Sequence, residues 1–247
     1  VERVVDYYRR FLARYPSVRR LASAPEADVL RAWEGLGYYR RARQLHAAAK
    51  RVVAEHAGRM PTSFEALLEL PGIGRYTAGA IASIAGGERR PIVEANSRRV
   101  LARLVAFAAP VGGPAGDGPL WEVAEGLLPP RRAGDWNQAL MDLGAMVCTP
   151  RRPLCQRCPV AAHCLAFAER RVAEIPAAAP KRAIESRRER ALVVHHAGRV
   201  LLVKRRPGEW WEGLWDFPRL PDDALLAALD CGPRRRAGGI DYTVTHH

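Results

Sequence analysis

The sequence predicts a mainly helical protein followed by a smaller, β-rich part, and three observations carry that reading. Residues 1–168 place apolar side chains at helical spacing almost throughout. Within them, Leu70-Pro71-Gly72-Ile73-Gly74 interrupts the pattern as a glycine hairpin between two short helices. After an Ala, Pro, Lys and Arg stretch from about Val172 to Arg188, the pattern changes to the alternation of strands.

Taken in order, Val1 to Tyr8 begins inside an amphipathic helix without Met or a cap, and Tyr242 to His247 stops inside a strand-like alternation. The reading is a fragment truncated at both ends. Ser23 with Glu26 has capping-box spacing before Val29, Leu30 and Trp33; Gly35 and Gly37 break that helix and another begins at Tyr39. The stretch from Gly35 to Arg43 combines a flexible turn with two tyrosines and three arginines, a pattern that packs a helix start or stacks on bases between phosphate-holding cations. Thr62 with Glu65 repeats the capping box before a helix ending at Leu70. Gly72 and Gly74 are expected to adopt positive backbone torsions, and a second helix restarts near Arg75. The backbone N–H groups at its start, with the helix dipole, suit a phosphate oxygen.

Past that helix come Glu94, Asn96, Arg98, Arg99 and Arg103. A lone acid beside a phosphate cradle suggests chemistry on a nucleic acid. Composition points the same way: 39 Lys and Arg stand against 26 acids, a net charge of +13 with a pI near 10.3, which favours a polyanionic partner. No apolar run is long enough to span a membrane and no signal-peptide pattern opens the chain, so the expected location is cytoplasmic.

Ala108 to Pro119 reads as a loop, and Asp135-Trp136-Asn137-Gln138 starts a helix leading to the cysteines. Cys148, Cys155, Cys158 and Cys164 give the spacing C-x6-C-x2-C-x5-C, four soft thiolates in one compact loop. Disulfides are disfavoured in a cytosolic chain of this size, which leaves a four-thiolate zinc site or an iron–sulfur cluster. The spacing alone does not choose. Cys231 lies far away and reads as a small apolar residue. In the last part, the runs 191–195 and 199–205 flank Ala197-Gly198 as a hairpin.

The residues Leu70 to Ala78, Gly35-Leu36-Gly37-Tyr38-Tyr39, and Asn137 to Gly144 with the cysteines after them resemble the helix-hairpin-helix DNA glycosylases, and within these the adenine glycosylases acting opposite 8-oxoguanine. That resemblance implies a glycosylase core at 1–168, a [4Fe-4S] cluster on Cys148, Cys155, Cys158 and Cys164 within 148–164, a linker at 169–189, and an incomplete Nudix-like domain at 190–247. It implies a nucleoid-associated bacterial enzyme whose partner is duplex DNA containing adenine mispaired with 8-oxoguanine or guanine; a monomer is assumed. Tyr38, Gly72, Gly74, Arg75 and Arg98 are the implied DNA contacts.

By the same resemblance Glu94 is the carboxylate that stabilises charge on the sugar, in place of the family's Asp, with Asn96 and Tyr76 in its pocket. The acid that protonates adenine is expected upstream of Val1, so the isolated chain is expected to bind DNA and excise poorly. A lyase of the endonuclease III type places a Lys where Tyr76 stands, and only an amine forms a Schiff base; a monofunctional glycosylase is the expectation, with the lyase or a catalytically silent DNA-binding homologue as alternatives. Leu220 to Leu226 lacks the Glu-rich helix that a Nudix hydrolase uses for magnesium, which leaves recognition: Val244, Thr245 and His246 align with the family's Phe-Ser-His loop that reads 8-oxoguanine.

Overall fold

Apolar residues at helical spacing assemble a first unit, Val1–Lys181, and a second unit covers Arg182–His247. The structure is a computed structural model that describes residues 2–112, 114–177, 189–206, 208–209, 211–220 and 238–239. The first unit contains α1 (Glu2–Arg14), α2 (Val18–Ala22), α3 (Glu26–Ala32), α4 (Tyr39–Glu55), α5 (Phe64–Leu68), α6 (Arg75–Ile84), α7 (Ala95–Leu104), α8 (Pro114–Leu127), α9 (Ala133–Asp142) and α10 (Leu165–Ala168). A π-helical turn, Leu143–Val147, continues α9, and two 3₁₀ turns, Cys155–Arg157 and Ala161–His163, shape the cysteine loop.

Two packed groups of side chains divide this unit. Val52, Leu67, Leu70, Ala78 and Ala82 bury α4, α5 and α6 against one another. Val100, Leu101, Leu120, Leu140 and Ile175 bury α7, α8, α9 and the segment after α10. Leu67, Leu101 and Leu120 are fully buried, each stabilising the fold by about 1.5–3 kcal/mol relative to exposure. Ile175 is 1% exposed, so residues 169–177, the start of the linker that the resemblance implies at 169–189, belong to the first unit.

Several local readings change. Ser63, next to Thr62, is the N-cap of α5 and makes no side-chain cap; Glu65 pairs with Arg90 at 2.5 Å. Ser23 ends α2, its Oγ donating to Arg20 O, and Pro25 precedes α3, while Glu26 faces Arg43 at 3.8 Å. In both places the acid serves a partner distant in sequence instead of a local cap. Of the two hairpin glycines only Gly72 has a positive φ, +80°; Gly74 is extended and is the N-cap of α6. The loop expected to reach Pro119 is already helical from Pro114, anchored by Asp117, which accepts from Gly112 N–H at 2.9 Å.

In the second unit, β1 (Arg190–Ala191) pairs with β6 (Arg219–Leu220), β2 (His195–His196) with β3 (Arg199–Val200), and β4 (Val203–Lys204) with β5 (Trp215–Asp216), all antiparallel. The β2–β3 turn is Ala197-Gly198, both with positive φ, the hairpin read from the sequence. The strands are shorter than the alternating runs that predicted them. Val244, Thr245, His246 and Cys231 lie outside the described residues. Among the described residues no helix is long and apolar enough to cross a membrane.

Candidate active site

Three segments of the first unit converge on Glu94. α6 supplies Tyr76 from its first turn, the start of α7 supplies Glu94 and Asn96, and α9 with its π-turn supplies Met141 and Gly144. The approach is close because glycines allow it. A Cβ on Gly79 of α6 would sit 2.6 Å from Pro91 O, on the segment leading into Glu94, and one on Gly144 would sit 2.8 Å from Asn96 Cβ and 2.9 Å from its backbone. Gly144→Ala is therefore expected to push α7 and the π-turn apart and to destabilise the protein by about 1–3 kcal/mol, read as a lower urea midpoint. An unchanged midpoint would show that the two segments yield freely.

Glu94 is the N-cap of α7. Its Oε1 accepts from Ser97 N–H at 2.8 Å, and its own N–H donates to Ser97 Oγ at 2.8 Å. Asn96 Oδ1 accepts from Arg99 Nη2 at 3.1 Å, and the same guanidinium donates to Gly144 O at 2.6 Å and Cys148 O at 2.7 Å. Burial lowers the Arg99 pKa from its ordinary value, with the Cys148 thiol and Glu94 opposing and Arg103 reinforcing that shift. The Tyr76 hydroxyl donates to Met141 Sδ at 3.5 Å; burial raises the phenol's pKa, and the negative charge of Glu94 raises it further. Tyr76 is thus neutral at physiological pH, a hydrogen-bond donor and an apolar wall.

The structure thus brings Glu94, Tyr76 and Asn96 together. Asn137, buried, ties α9 to α6 and to the strand-like segment before Glu94 through Ser83 Oγ and Arg90 O, both at 2.9 Å. Met141, Gly144 and Asn137 are the residues that sequence reasoning left without a role; Asn137 in an otherwise apolar helix face was the available signal.

The expected DNA contacts fare unevenly. Tyr38 stands 50% exposed at the N-cap of α4 with φ +49°, a left-handed conformation rare for a non-glycine residue. Gly72 and Gly74 are exposed, and no side chain caps the first turn of α6, leaving its N–H groups open to an anion. Gly72 is required by the turn, since a Cβ would meet Gln44 Cβ at 2.6 Å. Arg75 is exposed, with its guanidinium 3.9 Å from the Trp121 ring centroid. Arg98 is turned inward: it pairs with Asp117 at 2.7 Å, the two side chains being 22% and 15% exposed, so its charge is spent on holding α8.

Cys148, Cys155, Cys158 and Cys164 line one cavity, with Val147, Pro153, Phe167 and Val172 around them. None is in a disulfide. Burial raises the pKa of Cys155 and of Cys164, and the neighbouring thiols raise both further. Among the described residues no three His, Cys, Asp or Glu side chains form a group that could hold a single metal ion. Four thiols ringing one apolar cavity fit an iron–sulfur cluster held by all four. Arg103, 3% exposed, lies beneath the loop and donates to Cys148 Sγ at 3.3 Å, Thr149 O at 2.8 Å, Pro150 O at 3.3 Å and Ile175 O at 2.8 Å.

Residues 1–110 match the model of the HhH-GPD superfamily of base excision DNA repair proteins. The structure of a thermostable thymine-DNA glycosylase superposes with a TM-score of 0.58 at 31% identity, covering 67% of this chain and 76% of that one. The chain belongs to the HhH-GPD superfamily. Residues 148–164 of this superfamily member match the iron–sulfur binding domain of endonuclease III, which indicates a [4Fe-4S] cluster in the loop that carries the four cysteines. A trapped endonuclease III–DNA covalent intermediate shares the fold, with a TM-score of 0.58 at 21% identity over 68% of this chain and 77% of that chain. Proteins named adenine DNA glycosylase are 42% identical in Mus musculus, over 94% of this chain and 56% of the mouse protein, and 48% identical in Homo sapiens, over 67% and 31%. In Buchnera aphidicola from Schizaphis graminum the identity is 33%, over 88% and 63%. The HhH-GPD chain thus spans less than two thirds of each of these relatives.

Proposed function

We propose that this chain is the DNA-binding and charge-stabilising part of a monofunctional glycosylase that hydrolyses the N-glycosidic bond of adenine mispaired with 8-oxoguanine or guanine. The observation that carries this reading is a carboxylate, Glu94, fixed by the start of α7 and near enough to Tyr76, in the first turn after the glycine hairpin, for its charge to raise the phenol's pKa. The lysines of the sequence, Lys50, Lys181 and Lys204, lie outside the hairpin, which favours water over an amine as the attacking group. The relatives named adenine DNA glycosylase support the choice of base.

In this reading the open N–H groups of α6 hold a phosphate and Tyr38 wedges beside the lesion while the adenosine is flipped out. Glu94 faces the positive charge that develops on the deoxyribose as the base departs, and Tyr76 and Asn96 wall the pocket. Reading of 8-oxoguanine is assigned to Thr245 and His246. When bound, the cluster supplies covalent tethers that fix the loop carrying the exposed Arg151, Arg152 and Arg157 toward phosphates.

A single-turnover assay of the full-length natural form tests this, on duplexes with adenine opposite 8-oxoguanine, adenine opposite guanine, and thymine opposite guanine. Adenine release fastest opposite 8-oxoguanine, with strand breaks only after alkali, is the expected result. Release of thymine instead would move the protein to the activity named for its thymine-DNA glycosylase neighbour, and breaks without alkali would make it a lyase.

A further inference from the structure

The helix cap at Glu94 is a capping box with its residue types exchanged. The usual arrangement has a hydroxyl residue at the N-cap and an acid three residues on; here the acid caps and Ser97 stands at the third position. Glutamate is not among the favoured N-caps, since its side chain must fold back over one more rotatable bond than aspartate's. What holds it is Ser97. The serine N–H donates to Glu94 Oε1 at 2.8 Å, its Oγ accepts from Glu94 N–H at 2.8 Å, and its hydroxyl lies 3.3 Å from Glu94 O as a donor.

Ser97 is 0% exposed, on the same helix as the core residues Val100 and Leu101. A hydroxyl buried there is costly unless hydrogen-bonded, and each side-chain hydrogen bond it makes goes to Glu94. An apolar side chain would serve the core as well. Glu94 itself is extended at φ −132° and ψ −177°, with Oε1 committed to the cap and Oε2 in no hydrogen bond with a described residue. The clamp therefore fixes both the backbone and one oxygen of the carboxylate, and leaves a single oxygen to face a ligand.

We infer that Ser97 is a positioning residue that clamps the longer Glu94 side chain, so that one carboxylate oxygen is presented to the positive charge forming on the sugar. This rests on the glycosylase reading above. It places the adjustment for the extra methylene in the first turn of α7, three residues from the acid, instead of in the pocket wall.

Binding, without excision, tests it on the 247-residue chain as it stands. Two duplexes are compared, each with 8-oxoguanine opposite an abasic-site mimic: a cationic pyrrolidine that imitates the charged sugar, and a neutral tetrahydrofuran. The wild-type chain is expected to prefer the cation by about 10-fold or more, and Glu94→Gln to abolish the preference. Ser97→Ala is expected to cut the preference by about 5-fold or more with affinity for the neutral mimic unchanged. In a Glu94→Asp background, where the shorter acid caps unaided, Ser97→Ala should cost little, so the double-mutant cycle shows coupling.

Equal losses from Ser97→Ala in the wild-type and Glu94→Asp backgrounds would make Ser97 a stabiliser of α7 only, and would overturn the inference. So would a Ser97→Ala chain that keeps the full preference. A wild-type chain that binds the neutral mimic yet ignores the charge would overturn the glycosylase reading, and this inference with it.

Discussion

Glu94→Gln is expected to lower the single-turnover rate of adenine release in the full-length natural form by about 10²–10³-fold, the size seen when one preorganised electrostatic group is lost. Duplex affinity should stay within a few-fold. The substitution isolates charge because its geometry is nearly silent. Gln keeps the side-chain length and an oxygen at Oε1, so the Ser97 N–H still finds its acceptor and α7 keeps its cap. Tyr76, Asn96 and Met141 keep their places, since none is hydrogen-bonded to the carboxylate. What disappears is the negative charge that the sugar meets as the glycosidic bond breaks. Stability should move by less than about 1 kcal/mol, since a cap is retained and no buried partner is left unsatisfied. A variant that excises at the wild-type rate would remove Glu94 from the chemistry and leave this chain a DNA-binding module.

How much of this site was legible in the sequence depends on whether a residue's partner is near it along the chain. The hairpin was legible, because Pro71 and Gly72 act on their own backbone: Gly72 takes the positive φ that only a residue without Cβ accepts beside Gln44. Tyr76 and Glu94 were legible as residue types at motif positions. The capping boxes at Ser23 and Thr62 were misread because spacing cannot weigh Glu26 and Glu65 against Arg43 and Arg90, partners that only the tertiary fold supplies.

The same limit hid the true box. Its acid and serine occupy each other's usual positions, so a pattern search for a hydroxyl followed by an acid passes over Glu94 and Ser97. Arg98 adds to the basic character of the sequence, but Asp117, on a segment that reads as a loop, takes its charge. Gly144 gave no local sign at all, since what it avoids is Asn96, far back in the chain. Helix type and hairpin follow from local chemistry; the closeness of α6, α7 and the π-turn follows from contacts that local chemistry does not encode.

Arg103→Met should be the most damaging single change outside the cysteines, lowering stability by about 3–5 kcal/mol. Arg103 is buried, and its planar fork satisfies Thr149 O, Pro150 O and Ile175 O while touching Cys148 Sγ. Methionine fills much of the volume but donates nothing, so three carbonyls lose their donor, that of Ile175 deep in the fold. The charge matters as well. Four thiolates bring more negative charge than an iron–sulfur core cancels, and in a cavity walled by Val147, Phe167 and Val172 the guanidinium is the cation at hand to offset it.

Lysine would restore the charge without the fork, reaching at most some of the same acceptors, so Arg103→Lys should recover cluster loading better than it recovers stability. For a chain of this size the Met variant should melt on the order of 10 °C lower, with a reduced iron-to-protein ratio and weaker cluster absorbance. Arg157→Ala, exposed between Cys155 and Cys158, should stay within about 0.5 kcal/mol of wild type. If Arg103→Met kept both its melting temperature and its iron, the loop would be held by its cysteines alone, and the run of carbonyls gathered on one guanidinium would be a consequence of the fold instead of one of its causes.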